Sequence, residues 1–305
     1  MTKRGWALFV AVGVIWGIPY LLIKVAVVGG LTPATLVLLR TSIGALLLLP
    51  LVAFRGDIRP LFPRWKTILA YTAVEVTVPW FLLADAEQHI SSSLTGLLIA
   101  AVPLIGAVLA LLPGGEARPD ARRVGGLVVG FIGVAVLLGL DVSTRDLGAA
   151  GELGLVTVCY AIGPMIVARR LSDVPASGVV AASLVVTALV YAPVGLAQMP
   201  HSLPSARVLG AVVILAAVCT SLAFLLFFAL IAEVGAVRAQ VITYINPAVA
   251  LALGVALLGE PFTVGKAVGF ALILVGLFLA TRRRPVAARA LAQSRDAPSS
   301  DAAAS

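Results

Sequence analysis

Charge is scarce in this sequence: 12% of its 305 residues are Asp, Glu, Lys or Arg, where soluble domains carry about 25%. That scarcity excludes a chain solvated by water on all sides. Histidine occurs twice, at His89 and His201, both in predicted loops and not arranged for a metal site or a nucleophile–base pair. Cysteine also occurs twice. Cys159 and Cys219 lie inside apolar stretches without Cys-x-x-Cys spacing, so neither a disulfide framework nor a zinc site follows, and both read as small packing residues. No metal and no cofactor are expected. The acidic residues do not cluster near one interface, as a lipid-modifying enzyme would need. Asp85 and Glu87 are close, but they fall in a predicted short loop with no catalytic partner. The stretch GEPFTVGKA at 259–267 is not a P-loop. It has one residue too many between its glycines, and alanine where Ser or Thr must hold magnesium.

What the chain has in excess is apolar sequence: 61% hydrophobic residues and a mean hydropathy of +1.09. Apolar runs long enough to cross a bilayer recur at 6–28, 34–54, 66–84, 91–112, 123–140, 150–168, 177–197, 207–230, 236–258 and 264–281. The expectation is an all-α integral membrane protein of ten transmembrane helices. Lys3 and Arg4 before the first run suggest a signal peptide, but the run is long and has no small-residue cleavage site, which favours a retained span.

Basic residues orient these spans. With a cytoplasmic amino terminus, most of the 22 Lys and Arg residues fall in cytoplasmic segments, and the outer segments keep only Lys24, Arg145, Arg207 and Lys266. The bias predicts both termini in the cytoplasm, beneath an inner membrane. The net charge of +8 then serves orientation and contact with anionic lipid, and no nucleic-acid partner is expected. Trp6, Trp65 and Trp80 fall near predicted span ends, where indoles sit at headgroups. Trp16 instead lies about 15 Å into its span. The Ala/Ser/Pro-rich segment 282–305 reads as a disordered tail.

A shift of 144 residues superposes Pro103 on Pro247, Gly115 on Gly259, Glu116 on Glu260 and Gly125 on Gly269, and sets Trp16 against Tyr160. The chain therefore divides into repeats at 1–140 and 150–281. Five spans each is an odd number, so the second repeat enters the membrane inverted, an arrangement that places a transporter's site between the halves near the midplane. Trp16-Gly17, Arg40, LLPGGE at 111–116 after Pro103, and NPAVALALGVALLGEPFT at 246–263 resemble the bacterial EamA type of the drug/metabolite transporter superfamily. The resemblance covers about 6–281. It implies a ten-helix transporter with a central cavity and, for many relatives, export of amino acids or other metabolites. Replacement of the second Trp-Gly by Tyr160-Ala161 departs from the pattern.

Several intramembrane residues are candidates for the substrate pathway. Trp16, Tyr20 and Lys24 share one helix face; the aromatics suit a cavity wall or packing, and Lys24 suits snorkelling to headgroups. Gly13 and Gly17 form a G-x-x-x-G spacing for close helix approach. Arg40 and Glu75 lie inside spans, where ionisable groups need partners or water. They could form a structural pair, or serve substrate or proton. Gln240, Thr243, Tyr244 and Asn246 form the densest polar cluster. Pro79, Pro103 and Pro247 free the carbonyls of Glu75, Ile99 and Thr243 from helical donors. Ser91, Ser92, Ser93 and Thr95 suit a helix cap. The expected partners are a small-molecule substrate and membrane lipid, with the protein a monomer or homodimer; proton coupling would rest on Glu75. A few-charge aromatic wall favours amino acids, similar metabolites or amphipathic drugs over sugar phosphates. A membrane enzyme or a channel-like subunit is the alternative.

Overall fold

A computed structural model of the chain describes residues 1–112, 120–235 and 239–281. It contains ten membrane-length apolar spans among these residues: α1 Lys3–Val28, α2 Pro33–Phe54, α3 Arg59–His89, α4 Ser92–Leu109, α5 Ala121–Asp141, α6 Thr144–Arg170, α7 Ala176–Ala197, α8 Ala206–Val234, α9 Val241–Leu258 and α10 Val264–Thr281. The all-α ten-helix expectation holds, and an even number of crossings returns Thr281 to the face where Lys3 begins. The Gly115–Glu116 turn and the segment 282–305 lie outside the described residues.

The halves are related element by element. Repeat mates pack on each other in the pairs α2–α7, α4–α9 and α5–α10, and the contact of α3 with α6 is matched by that of α8 with α1. Backbone irregularities repeat too. A π-helical turn at Ala73–Thr77 in α3 recurs at Ala217–Leu222 in α8, an offset equal to the sequence shift. The α4 break between Ile99 and Val102, ahead of Pro103, matches the passage at Tyr244–Ile245 from 3-10 to α geometry ahead of Pro247. This internal symmetry is that of two inverted five-helix repeats.

Small residues bring backbones together where lipid offers no hydrophobic drive. A Cβ on Gly126 of α5 would stand 2.7 Å from the Gly276 carbonyl of α10, and one on Gly133 would stand 2.7 Å from the Gly269 carbonyl. The opposite faces carry Phe131, Ile132, Val275 and Phe278, all exposed and suited to lipid. Gly17 has the same role at α1–α9, where a Cβ would lie 2.8 Å from the Asn246 carbonyl.

The Gly-Glu turn of the second half caps a helix of the first. Glu260 Oε1 accepts from Ser92 N at 2.7 Å and Ser92 Oγ at 2.9 Å, and Oε2 accepts from Ser93 N at 2.9 Å. Lys266 donates to Ser93 Oγ at 2.8 Å and to the Pro261 carbonyl at 2.9 Å. Ser91 caps α4 locally through Leu94 N, as its sequence position suggests. Burial would raise the Glu260 carboxyl, but the hydrogen bonds from Ser93 and Ser92 together outweigh it and hold the group below the usual glutamate range. Its stabilisation is therefore present at neutral pH, above the unfolded-state value, and is lost as pH falls through the lowered folded value. Glu260→Ala should cost roughly 1–2 kcal/mol as a lost helix cap, read as a melting temperature lower by about 2–8 °C in detergent. An unchanged melting temperature would show that the cap contributes nothing.

Candidate functional site

The polar centre of the molecule is built around Arg40. About two turns into α2, this residue is buried between the repeats with 8% of its surface exposed. Its Nε donates to Thr220 Oγ1 of α8 at 3.0 Å, and its guanidinium lies 3.5 Å over the ring centroid of Trp80 from α3. The π-helical turn in α8 puts Thr220 there: its hydroxyl also donates to the Leu215 carbonyl five residues back, at 2.9 Å. Tyr20 of α1, Tyr160 of α6 and Glu87 of α3 face Arg40 within electrostatic reach, and the Trp80 indole is a hydrogen-bonding neighbour of the Tyr160 hydroxyl.

Glu75 lies within electrostatic reach of Tyr160. Its carboxylate occupies the space a side chain at position 163 would take: a Cβ on Gly163 of α6 would overlap it. Oε2 is enclosed and has no hydrogen-bond partner among the described residues. The proposed Arg40–Glu75 pair is not formed. The guanidinium is turned to Trp80 and Thr220 instead, because the α3 π-turn and the following Pro79 place Trp80, not Glu75, against α2. Between α3 and α7 the Tyr191 hydroxyl takes up the Thr77 carbonyl at the π-turn, at 2.9 Å, and the side-chain hydroxyls of Thr77 and Thr187 bond each other at 2.8 Å.

Trp16 and the α9 cluster form a second group, on the α1–α8–α9 side. Trp16 stands where α1 breaks between Ile15 and Pro19, with its ring 5.6 Å from Phe224 and 4.7 Å from Phe227 of α8. Under the repeat shift Trp16 is the mate of Tyr160 and Phe224 that of Trp80, so the aromatic contact occurs twice, each time across the two halves. The Asn246 amide, with nitrogen toward the acceptors, donates to the carbonyls of Ile242 at 3.0 Å and Gly13 at 2.9 Å, joining α9 to α1. Thr243 and Tyr244 are half-buried in the 3-10 turn, Tyr244 against the main apolar core. The Gln240 side chain lies outside the described residues. Pro79 and Pro247 are buried; Pro103 opens the second half of α4.

Three readings are corrected. Lys24 does not reach for headgroups: its ammonium donates to the main-chain carbonyls of Glu87 and Ile90, closing the end of α3. Glu87 is not in a loop. Helix α3 runs on to His89, and Glu87 is fully buried in it. Trp80 is likewise core, 7% exposed, while Trp6 and Trp65 are exposed at span ends.

Two cavities flank this core. One of about 550 Å³ opens on the face of the termini and is lined by Arg64, Thr67, Arg169, Arg170, Ser172 and Asp173. Arg64 and Asp173 pair across its rim at 2.8 Å, which holds the Asp173 carboxyl below its ordinary range. The other, about 320 Å³, is an apolar groove between α9 and α10 lined by residues such as Leu251, Val255 and Phe270.

An inverted-repeat bundle with charged and aromatic side chains buried between its halves is the architecture of a membrane carrier. The chain belongs to the EamA-like transporter family, whose pattern matches residues 3–139 and again 153–282, and so to the drug/metabolite transporter superfamily. It is 24% identical over 288 residues to an uncharacterized transporter of Archaeoglobus fulgidus, covering 92% of this chain and all of that protein. A solved crystal structure shares its fold with a TM-score of 0.65 at 22% identity, covering 92% of this chain and 98% of the other. Small-molecule transport by a multi-pass membrane protein is thus its function, and the membrane-enzyme alternative falls away.

Proposed function

We propose that the protein exports small zwitterionic metabolites, amino acids foremost, across the bacterial inner membrane by alternating access. The observation that carries this reading is the pair of unreconciled charges around Tyr160. Among the described residues Arg40 has no carboxylate hydrogen-bonded to it and the Glu75 Oε2 has no donor, although burying either charge is costly without a partner. A zwitterion entering between the repeats supplies both: its carboxylate to Arg40, its ammonium to Glu75. Tyr20, Trp80 and Tyr160 would line its apolar part. The arginine-lined cavity on the face of the termini supports loading from that side. Liposomes loaded with single amino acids test the reading: saturable counterflow of a zwitterion that its amide and its deaminated acid do not match is expected. Equal counterflow of all three would remove the charge-pair reading. Trp16, Phe224, Phe227 and Phe228 form a contiguous aromatic cluster that favours amphipathic drugs as a second reading, one that needs no charge pair.

The reading takes both termini as cytoplasmic, which the basic bias supports. Cysteines placed at Gly259–Glu260 should react with an impermeant thiol reagent in intact cells, and cysteines at Gly115–Glu116 should react only after permeabilisation. Labelling of both turns from one side would contradict the inverted arrangement.

A further inference from the structure

Among the described residues Glu87, near the end of α3, is a fully buried carboxylate that the substrate reading leaves unused. Its residue surface is 0% exposed, and both carboxylate oxygens lack a hydrogen-bond partner among the described residues. The groups that face it come from three elements: Tyr20 and Lys24 from α1, Arg40 from α2, and Glu260 from the turn before α10. Both cations are already committed. Lys24 is bonded to the main-chain carbonyls of Glu87 itself and of Ile90, and Arg40 to Thr220 and the face of Trp80. The remaining surroundings are the apolar core, Leu83, Ala84 and Ala86 on its own helix and Ile23 and Ala26 on α1.

A carboxylate closed off from water and donors is far more stable as the neutral acid than as the ion. Something must neutralise it in this conformation. A metal cation would have to sit beside the Lys24 ammonium with no ring of oxygens to replace its hydration, so the occupant that fits is a proton.

We propose that Glu87 is a proton-binding site of the transporter, loaded in this conformation and linked to the substrate through Arg40. The linkage rests on the reading that Arg40 receives the substrate's carboxylate. With Glu87 ionised, Arg40 faces a negative charge that competes with that carboxylate; with Glu87 protonated, the competition is gone. Proton and substrate carboxylate therefore favour each other's binding, the coupling is reciprocal, and the two leave the cell together, with export driven by the outward gradient of the substrate. Glu260 caps the start of α4 within electrostatic reach of Glu87, and separation of α4 from the α9–α10 turn there would bring water to Glu87 and release the proton. This assigns coupling to Glu87 and leaves Glu75 to the substrate.

Two measurements on the full-length protein in liposomes test the proposal. The first uses no substrate: infrared difference spectra between acidic and alkaline buffer should show the carbonyl stretch of a protonated carboxylic acid that is absent from Glu87→Gln and present in Glu75→Gln. The second is the pH dependence of counterflow of a mixture of labelled neutral L-amino acids. In the wild type the half-saturating concentration should rise about tenfold per pH unit above the titration of Glu87, as one linked proton requires, and Glu87→Gln should abolish that slope. Glu87→Asp, which keeps an acid, should retain a slope at a displaced pH and covers the case in which the amide does not fold. A band and a slope that both persist in Glu87→Gln overturn the proposal, as does a slope that follows sodium at fixed pH. A band that depends on Glu87 with no slope in counterflow places the failure in the Arg40 reading and not in the proton site.

Discussion

Arg40→Gln is expected to lower amino-acid counterflow by about 100- to 5000-fold at a substrate concentration near the wild-type half-saturating value. The estimate comes from the cost of leaving one member of a buried ion pair alone, roughly 3–5 kcal/mol. That penalty would appear in the loaded state, when the substrate's carboxylate has no counter-charge. Arg40→Lys separates charge from geometry. Lysine keeps the positive charge, but as a compact ammonium it cannot both lie flat on Trp80 and donate to Thr220, as the planar guanidinium does. Lys should therefore recover only part of the loss. The deciding comparison is between an amino acid and its carboxamide. Arg40→Gln should transport both equally poorly, because the discrimination resides in the lost charge. If it still prefers the free carboxylate, Arg40 is a structural anchor between α2 and α8, and the carboxylate binds elsewhere.

Much of the architecture could be read from the sequence because the membrane imposes a simple rule: backbone groups must be satisfied within each helix, so spans appear as long apolar runs. The repeat was legible for a related reason. Proline and glycine mark backbone geometry, and the pairs Pro103/Pro247 and Gly125/Gly269 recur because breaks and close approaches recur. The site was legible only in part. Arg40 and Glu75 stood out as charges inside apolar runs, and the structure buries Arg40 and half-buries Glu75 with its Oε2 enclosed, but their pairing depended on how two helices rotate about their axes, which spacing does not report. Glu87 was missed because a run of Asp85, Glu87, Gln88 and His89 reads as a loop by polarity; Lys24, donating to carbonyls at the helix end, lets that run stay helical and buried. Trp80 was assigned to the headgroups by the same misplaced boundary. Tyr160 had a signal that pointed the right way: it is the repeat mate of Trp16, and both pack against repeat-mate aromatics.

Glu75→Gln should weaken amino-acid transport by about 10- to 100-fold, the cost of replacing a charge-assisted hydrogen bond, roughly 1.5–3 kcal/mol. The variant removes a charge while keeping shape, so the carboxylate's place beside Gly163 stays filled and α3 should keep its packing on α6. Loss of the charge also removes the cost of burying it in the empty carrier, which argues that folded protein should not decrease. Selectivity is the sharper readout. For a substrate analogue without the amine, a plain carboxylic acid, the glutamate is a repulsive neighbour, and Glu75→Gln should leave its transport unchanged or improve it. The amino acid and its deaminated analogue should converge. Gly163→Ala offers an independent approach from the facing helix: its methyl group would occupy the carboxylate's position and push Glu75 out of the site. It should therefore lose amino-acid transport in the same direction while every charge remains. If Glu75→Gln transports both compounds as the wild type does and Gly163→Ala is equally silent, the ammonium does not bind at Glu75. The enclosed Oε2 would then be a feature of α3–α6 packing alone.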